Sequence, residues 1–360
     1  MEQRKRRSRN GEEAGGAPGR PPRSGRPTMA DVAREAGVSV ATVSRVINGH
    51  PHVTSDVQSR VEVAMAELGY VTNPTARALA GGRTQVIGLL TQEVQNAFSY
   101  AVISGVDEAV SAIGYDFLLC TTHARREKEA EYVARLTGGM VDGLLIILPR
   151  GLPDYVGRLR AASFPFVLID YDAEAPGCSV VNATNRQGAR AAIRHLVELG
   201  HRRIGFITGR PNVGATTERL AGYRDALAEA GIAAREADIV TGDFLEPRGH
   251  DAALELLART DPPTALFASS DSAAFGALRA ARELGLRVPD DLSIVGFDDV
   301  PEAAMLTPPL TTVRQPLREM GRAAVRQLKL HLDDPSQPAT RVVLETELML
   351  RGSTAPPRAR

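Results

Sequence analysis

From residue 85 onward, short apolar runs alternate with amphipathic stretches of helical length. The runs are Val86–Leu90, Phe117–Cys120, Gly143–Leu148, Phe166–Ile169, Ile204–Ile207, Ala265–Ala268 and Leu292–Val295. Helical patterns such as Ala189–Leu199 and Ala273–Leu284 fall between them. A strand that returns through a helix re-enters its sheet in the same direction. The alternation therefore selects parallel sheets covered by helices on both faces. About 265 residues is large for one doubly wound sheet, so two lobes are expected. Ligands of open α/β sheets bind at the carboxyl ends of the strands, and between two lobes that position is a cleft whose closure can act as a switch.

The preceding segment follows a different rule. Residues 28–69 parse into three short helices. Thr28 caps the first with Asp31 three residues on, Val32, Ala33 and Ala36 form its apolar face, and Gly37 ends it. Ser39 caps a second helix over Val40–Ile47, stopped by Asn48-Gly49 and Pro51. Thr54 caps a third, on which Val57, Val61, Ala64, Met65 and Leu68 make one stripe closed by Gly69. Two short helices joined by a tight glycine turn suit a major-groove reader. Ser39, Thr42 and Ser44 are small hydroxyls able to donate to phosphates, and Arg45 has the fork for a guanine edge. A three-helix bundle with an exposed arginine fits the periodicity equally well. After Asn73-Pro74, a helix of about seven residues ends at Gly81-Gly82, too short to hold without a docking partner. It carries Arg77 beside Leu79, an apolar side chain suited to wedging between base steps.

Charge alone argues against nucleic acid, because the formal net charge is zero. The zero hides a split. Residues 1–83 hold 13 Lys+Arg against 8 Asp+Glu, and the rest of the chain holds 30 against 35. The excess lies in residues 1–27, a Gly- and Pro-rich leader expected to be disordered. It reads either as a phosphate-attracting arm or as a solvated extension. Arg4 to Arg7 precede no apolar core, so no secretory signal is expected and the chain is placed in the cytoplasm. No run of 18 apolar residues suggests a membrane span. Two distant cysteines, Cys120 and Cys178, exclude a disulfide framework and a cysteine zinc site. Phosphate-loop, nucleophile-elbow and zinc-helix motifs are missing, so no catalytic constellation, cofactor or metal is expected.

The string TMADVAREAGVSVATVSRVINGHPHVTSDVQSRVEVAMAELGYVTNPTARALAGGRTQVIGLL (28–90) resembles the start of LacI/GalR-type bacterial transcriptional repressors. The likeness continues in RQGARAAIRHLVELGHRRIGFITG (186–209), ERLAGYRDAL (218–227), SSDSAAFGALRAARELGLRVPDDLSIVGFDD (269–299) and PPLTTVRQP (308–316). The resemblance implies a helix-turn-helix headpiece over 28–72, a hinge helix over 73–83 and a periplasmic-binding-protein-like core over 84–352, with a tail over 353–360. It splits the core into an N-lobe (84–199 and 314–338) and a C-lobe (200–313 and 339–352), so the chain crosses between them three times.

By the same resemblance, Val40, Ala41 and Arg45 face bases, while Thr42 and Ser44 face phosphates. Asn48 and His52 match further backbone-contacting positions, and Leu79 matches an intercalating leucine. Val40 and Ala41 can offer only methyl contacts, so Arg45 carries much of the polar base readout. In the core, Asn96 and Phe98 match an Asn-Pro-Phe-Phe segment in which Ala97 and Ser99 stand for Pro and the second Phe. Arg219 matches a ligand-clamping arginine, Phe244 an aromatic wall, and Ser270, Asp271 and Asp298 polar strand-end positions. These residue types suit a hydroxyl-rich ligand. Each has a plainer reading: Asp271 as a helix cap, Asp298 as part of a turn, Phe98 and Phe244 as core. Thr184 stands where such proteins often carry an acid, which removes one expected carboxylate from the cleft.

The expectation is therefore a ligand-responsive, sequence-specific repressor that is not an enzyme. It binds a palindromic operator as a homodimer and is controlled by a sugar, polyol or nucleoside in the interlobe cleft. A solute-binding protein without DNA function is the alternative, and it leaves the headpiece unexplained. The C-terminus carries no leucine heptad for a tetramer tail.

Overall fold

The computed structural model describes residues 27–47, 52–70, 83–171, 175–211 and 213–358. The expected leader, the hinge helix after Asn73, and the candidate residues Asn48, Arg77 and Leu79 lie outside the described residues. The chain divides into a helical unit before residue 77 and an α/β unit after it.

The helical unit contains α1 (Met29–Ala36), α2 (Val40–Ile47) and α3 (Ser55–Leu68). Thr28 and Asp31 form a reciprocal capping box, and Gly37 closes α1 in the left-handed conformation. Arg60 on α3 donates to the Ala36 carbonyl at 2.5 Å, placing a cation at the carboxyl end of α1. The Ser39 hydroxyl accepts from Thr42 N at 3.1 Å and starts α2. Thr54 holds the cap position of α3 but makes no side-chain cap bond. Val32, Ala33, Ala36, Val43, Val61 and Ala64 form the small core.

The α/β unit has two sheets. Its first lobe is built from β1 (Val86–Thr91), α4 (Ala97–Ala112), β2 (Asp116–Thr121), α5 (Arg126–Thr137), β3 (Gly143–Ile147), α6 (Leu152–Ala161), β4 (Phe166–Ile169) and β5 (Ser179–Ala183). The second holds α7 (Asn185–Glu198), β6 (Ile204–Thr208), α8 (Gly214–Glu229), β7 (Ile239–Thr241), α9 (Glu246–Leu257), β8 (Ala265–Ala268), α10 (Asp271–Glu283), β9 (Ser293–Asp298), α11 (Pro301–Met305) and β10 (Thr311–Arg314). The chain then returns to the first lobe with α12 (Leu317–Asp333) and β11 (Arg341–Leu344), and ends in the second with β12 (Glu347–Met349). The sheet orders are β11-β5-β4-β3-β1-β2 and β12-β10-β9-β8-β6-β7, parallel throughout except where β12 runs against β10.

Three boundaries differ from those the sequence suggested. Helix α7 belongs to the second lobe, because Ala189, Ala192, Ile193 and Leu196 are buried with Ile204, Phe206 and Tyr223. The first crossing therefore falls at Thr184, whose hydroxyl meets that of Thr346 at 2.9 Å, at the third crossing. Strand β11 belongs to the first lobe, where Arg341 to Leu344 pair in register with Val180 to Ala183. Residues 353–355 are part of the second lobe rather than a separate tail. Ser353 is fully buried, its hydroxyl donates to the Ile294 carbonyl at 2.6 Å, and it accepts from Thr311 N at 2.8 Å.

Helices α4 and α12 approach closely over the first sheet. A Cβ at Gly105 would strike the Arg318 backbone, and one at Gly321 would strike the Val102 carbonyl. Only glycine permits that spacing.

Candidate functional site

An interlobe cavity, partly open to solvent, lies at the carboxyl ends of strands from both sheets. The first lobe contributes Gln92 and Glu93 after β1, Asn96 and Phe98 at the start of α4, Leu148 after β3 and Asp170 after β4. The second contributes Arg210 after β6, Arg219 on α8, Asp243 and Phe244 after β7, Ser270 before α10 and Asp298 at the end of β9.

Arg219 is the centre. It is 2% exposed, and its Nε donates to Asn185 Oδ1 at 2.9 Å. A second nitrogen donates to the Ser269 carbonyl. The guanidinium lies 3.7 Å from the centroid of the Phe297 ring and 5.8 Å from that of Phe244. A cation on a π-face keeps its charge at low desolvation cost.

Two buried carboxylates flank it. Asp298, 7% exposed, accepts from Gln315 Nε2 at 2.8 Å. Burial pushes its carboxyl up to about 6 against the pull of Arg219 and Gln315. Asp170, 4% exposed, hydrogen-bonds Asn185. Its carboxyl is also raised, first by burial and then by Asp298, while Arg219 opposes. Asp170 Oδ1 is buried with no hydrogen-bond partner. Unpaired buried acceptors are costly, so such an atom points to something that completes it.

Across the mouth, Arg210 ties the lobes together. It donates to Gln92 Oε1 at 3.2 Å in the opposite lobe and to Asp243 at 2.7 Å in its own, with Glu93 at 3.8 Å. Gln92 is fixed in turn by a 2.6 Å bond to the Leu148 carbonyl.

Of the seven core residues expected at the site, the structure brings six together: Asn96, Phe98, Arg219, Phe244, Ser270 and Asp298. Asn96 spends its side-chain oxygen on the α4 cap, accepting from Ser99 N at 2.7 Å. Ser270, not Asp271, caps α10, and its hydroxyl donates to the Phe244 carbonyl at 3.0 Å. Asp271 is fully buried away from the cavity. It accepts from Thr312 Oγ1 at 2.5 Å and Val300 N at 2.9 Å, so it anchors the loop after β9 instead of facing a ligand. Thr184 is used at the crossing, bonded to Thr346, and is not among the residues lining the cavity. Asp170, Gln92, Arg210 and Asp243 were not among the candidates. Asp170 carried a readable signal, since it follows the apolar run Phe166–Ile169 and strand ends face the cleft.

In the helical unit, Ser39, Val40, Ala41 and Arg45 are exposed around α2, and Val43 fills the core side. Val40 is 48% exposed, an apolar side chain presented to solvent at the start of a helix. Thr42 and Ser44 are half-buried, and His52 is exposed.

The helical unit and the cleft in one chain define a DNA-binding regulator equipped with a small-molecule site. Residues 28–73 match the family of bacterial regulatory proteins, lacI family, and residues 193–354 match a periplasmic binding protein-like domain. The chain is 35% identical to the HTH-type transcriptional repressor PurR of Photobacterium profundum, over 91% of this chain and 98% of that one. Among solved structures, it is 30% identical to the Lac repressor dimer bound to operator and the anti-inducer ONPF. The TM-score is 0.80, with 91% of this chain and 99% of that one covered. The transcriptional regulator CelR–cellobiose complex is 38% identical with a TM-score of 0.70, covering 91% of this chain and 100% of that one. The chain belongs to the lacI family of bacterial regulatory proteins; it is a transcriptional regulator and not an enzyme. No helix among the described residues is long and apolar enough to cross a membrane.

Proposed function

We propose that this regulator is a cytoplasmic repressor that binds a palindromic operator as a homodimer and is controlled by a small hydroxyl-rich effector in the interlobe cleft. The observation that carries the effector half is the buried Asp170–Arg219–Asp298 group, which faces the cleft with an acceptor left unpaired. The relatives support the DNA half, since one is named a repressor and another was solved on its operator. The solute-binding alternative leaves an exposed reading helix without a task.

In this reading α2 enters the major groove. Arg45 contacts a base edge, Val40 and Ala41 meet methyl groups, and Ser39, Thr42, Ser44, Asn48 and His52 hold the phosphates. Arg77 and Leu79 act in the minor groove between the half-sites. Effector binding biases lobe closure, and the effect on DNA is limited to the effector's differential affinity for the two states.

A gel-shift titration against the chain's own upstream region tests this. Binding should be specific and weaken steeply between 50 and 200 mM salt, as phosphate contacts require. Absence of specific duplex binding, with and without sugars, overturns the repressor reading.

A further inference from the structure

The charges around the cleft limit which effectors it admits, and the argument rests on the cleft being the effector site. Four carboxylates line it, Glu93, Asp170, Asp243 and Asp298, against two guanidiniums, Arg210 and Arg219. Both cations are already engaged. Arg210 is bonded to Asp243 and Gln92 and lies beside Glu93. Arg219 is bonded to Asn185 and the Ser269 carbonyl and packed on Phe297. Among the described residues that line the cavity, the buried side-chain atom without a hydrogen-bond partner is Asp170 Oδ1, a carboxylate oxygen. It asks for a hydroxyl or ammonium donor, while an incoming anion would meet like charge at low effective dielectric.

We infer that the cleft takes a hydroxyl-rich ring that is uncharged or amino-substituted, that it rejects phosphorylated and carboxylated rings, and that Asp170 sets this selection. The Phe98 and Phe244 side chains supply apolar surface for the ring faces, which carry no charge information.

Matched sugars test this on the full-length protein. Glucose, galactose, ribose and cellobiose are each compared with amino and phosphorylated counterparts, and glucose also with glucuronate. Thermal shift finds the binders, because a ligand of the native state raises the midpoint, and calorimetry gives Kd. At least one neutral or amino sugar is expected to bind, with its anionic counterpart at least ten-fold weaker. Asp170→Asn, which keeps the shape and tolerates the local φ of 56°, should narrow that ratio and remove any preference for the amino form. An anionic member binding as tightly as its neutral counterpart overturns the inference. So does a panel without a binder, or an unchanged ratio in Asp170→Asn. If that variant does not fold, the ratio in the unsubstituted protein decides. Operator gel shifts on the same sample separate these outcomes from failure of the repressor reading.

Discussion

Asp298 and Arg219 show how a strand end becomes a site. Asp298 sits at the end of β9 with φ of 126° and lines the cleft. Its native carboxyl titrates at about 6, above the ordinary range for Asp. Protons therefore bind the native state more readily than the unfolded one. The associated stability is fully present below about pH 4 and is lost as pH rises through about 6. Asp298→Asn should accordingly show a smaller fall in melting temperature between pH 5 and 7.5 than the unsubstituted protein. An identical pH profile contradicts the assignment. Arg219→Ala leaves two buried carboxylates without their cation, a change of about 3–5 kcal/mol in comparable buried pairs. It should lower the melting temperature and abolish the effector response. The resemblance that points to Asp298 points to Thr184 in the first lobe, whereas the strand-end rule alone reaches Asp170 as well. Arg210 was not legible, because its partner Gln92 is far away in sequence and on the opposite lobe.

The clearest elements in the sequence were those whose stop and start signals are local. The caps of α1 and α2 and the left-handed Gly37 and Gly69 follow from side-chain chemistry within a few residues. The strands missed were β5, β7, β10, β11 and β12. β5 is fully buried yet carries the polar Ser179 and Asn182, β11 is a half-exposed edge strand, and β12 is three residues long. Short or polar strands are decided by their neighbours rather than by their own composition. Two predictions belong at this scale. On α2, Arg45→Ala should cost about 1–3 kcal/mol of operator affinity and relax preference at one base pair, as removal of a bidentate base contact does. A uniform loss across all sequences in a binding-site selection would assign Arg45 to phosphate instead. At the end of β6, a Cβ at Gly209 would overlap the Phe244 ring. Gly209→Ala should therefore displace that aromatic wall and weaken effector binding while operator binding persists, both read by titration.

At the scale of the molecule, the alternation of apolar runs and helices led to two parallel sheets, and the three crossings put the cleft between them. The lobe to which a segment belongs was harder to read. Helix α7 has an apolar face that either lobe could have used. Its assignment came from Ala189 and Ile193 meeting Phe206 and Tyr223, contacts made only after folding. The zero net charge says nothing against DNA binding. Residues 28–83 balance five Lys+Arg with five Asp+Glu, so any DNA affinity of the headpiece rests on the placement of Arg45 and its neighbouring hydroxyls rather than on a basic surface. The most direct test of the account is an operator titration of the unsubstituted protein and Arg219→Ala, with and without a sugar that stabilises the former. The sugar should shift the operator Kd of the unsubstituted protein and leave that of Arg219→Ala unchanged, with both binding operator equally in its absence. A sugar response retained by Arg219→Ala, or absent from the unsubstituted protein, would contradict control of DNA binding through the cleft.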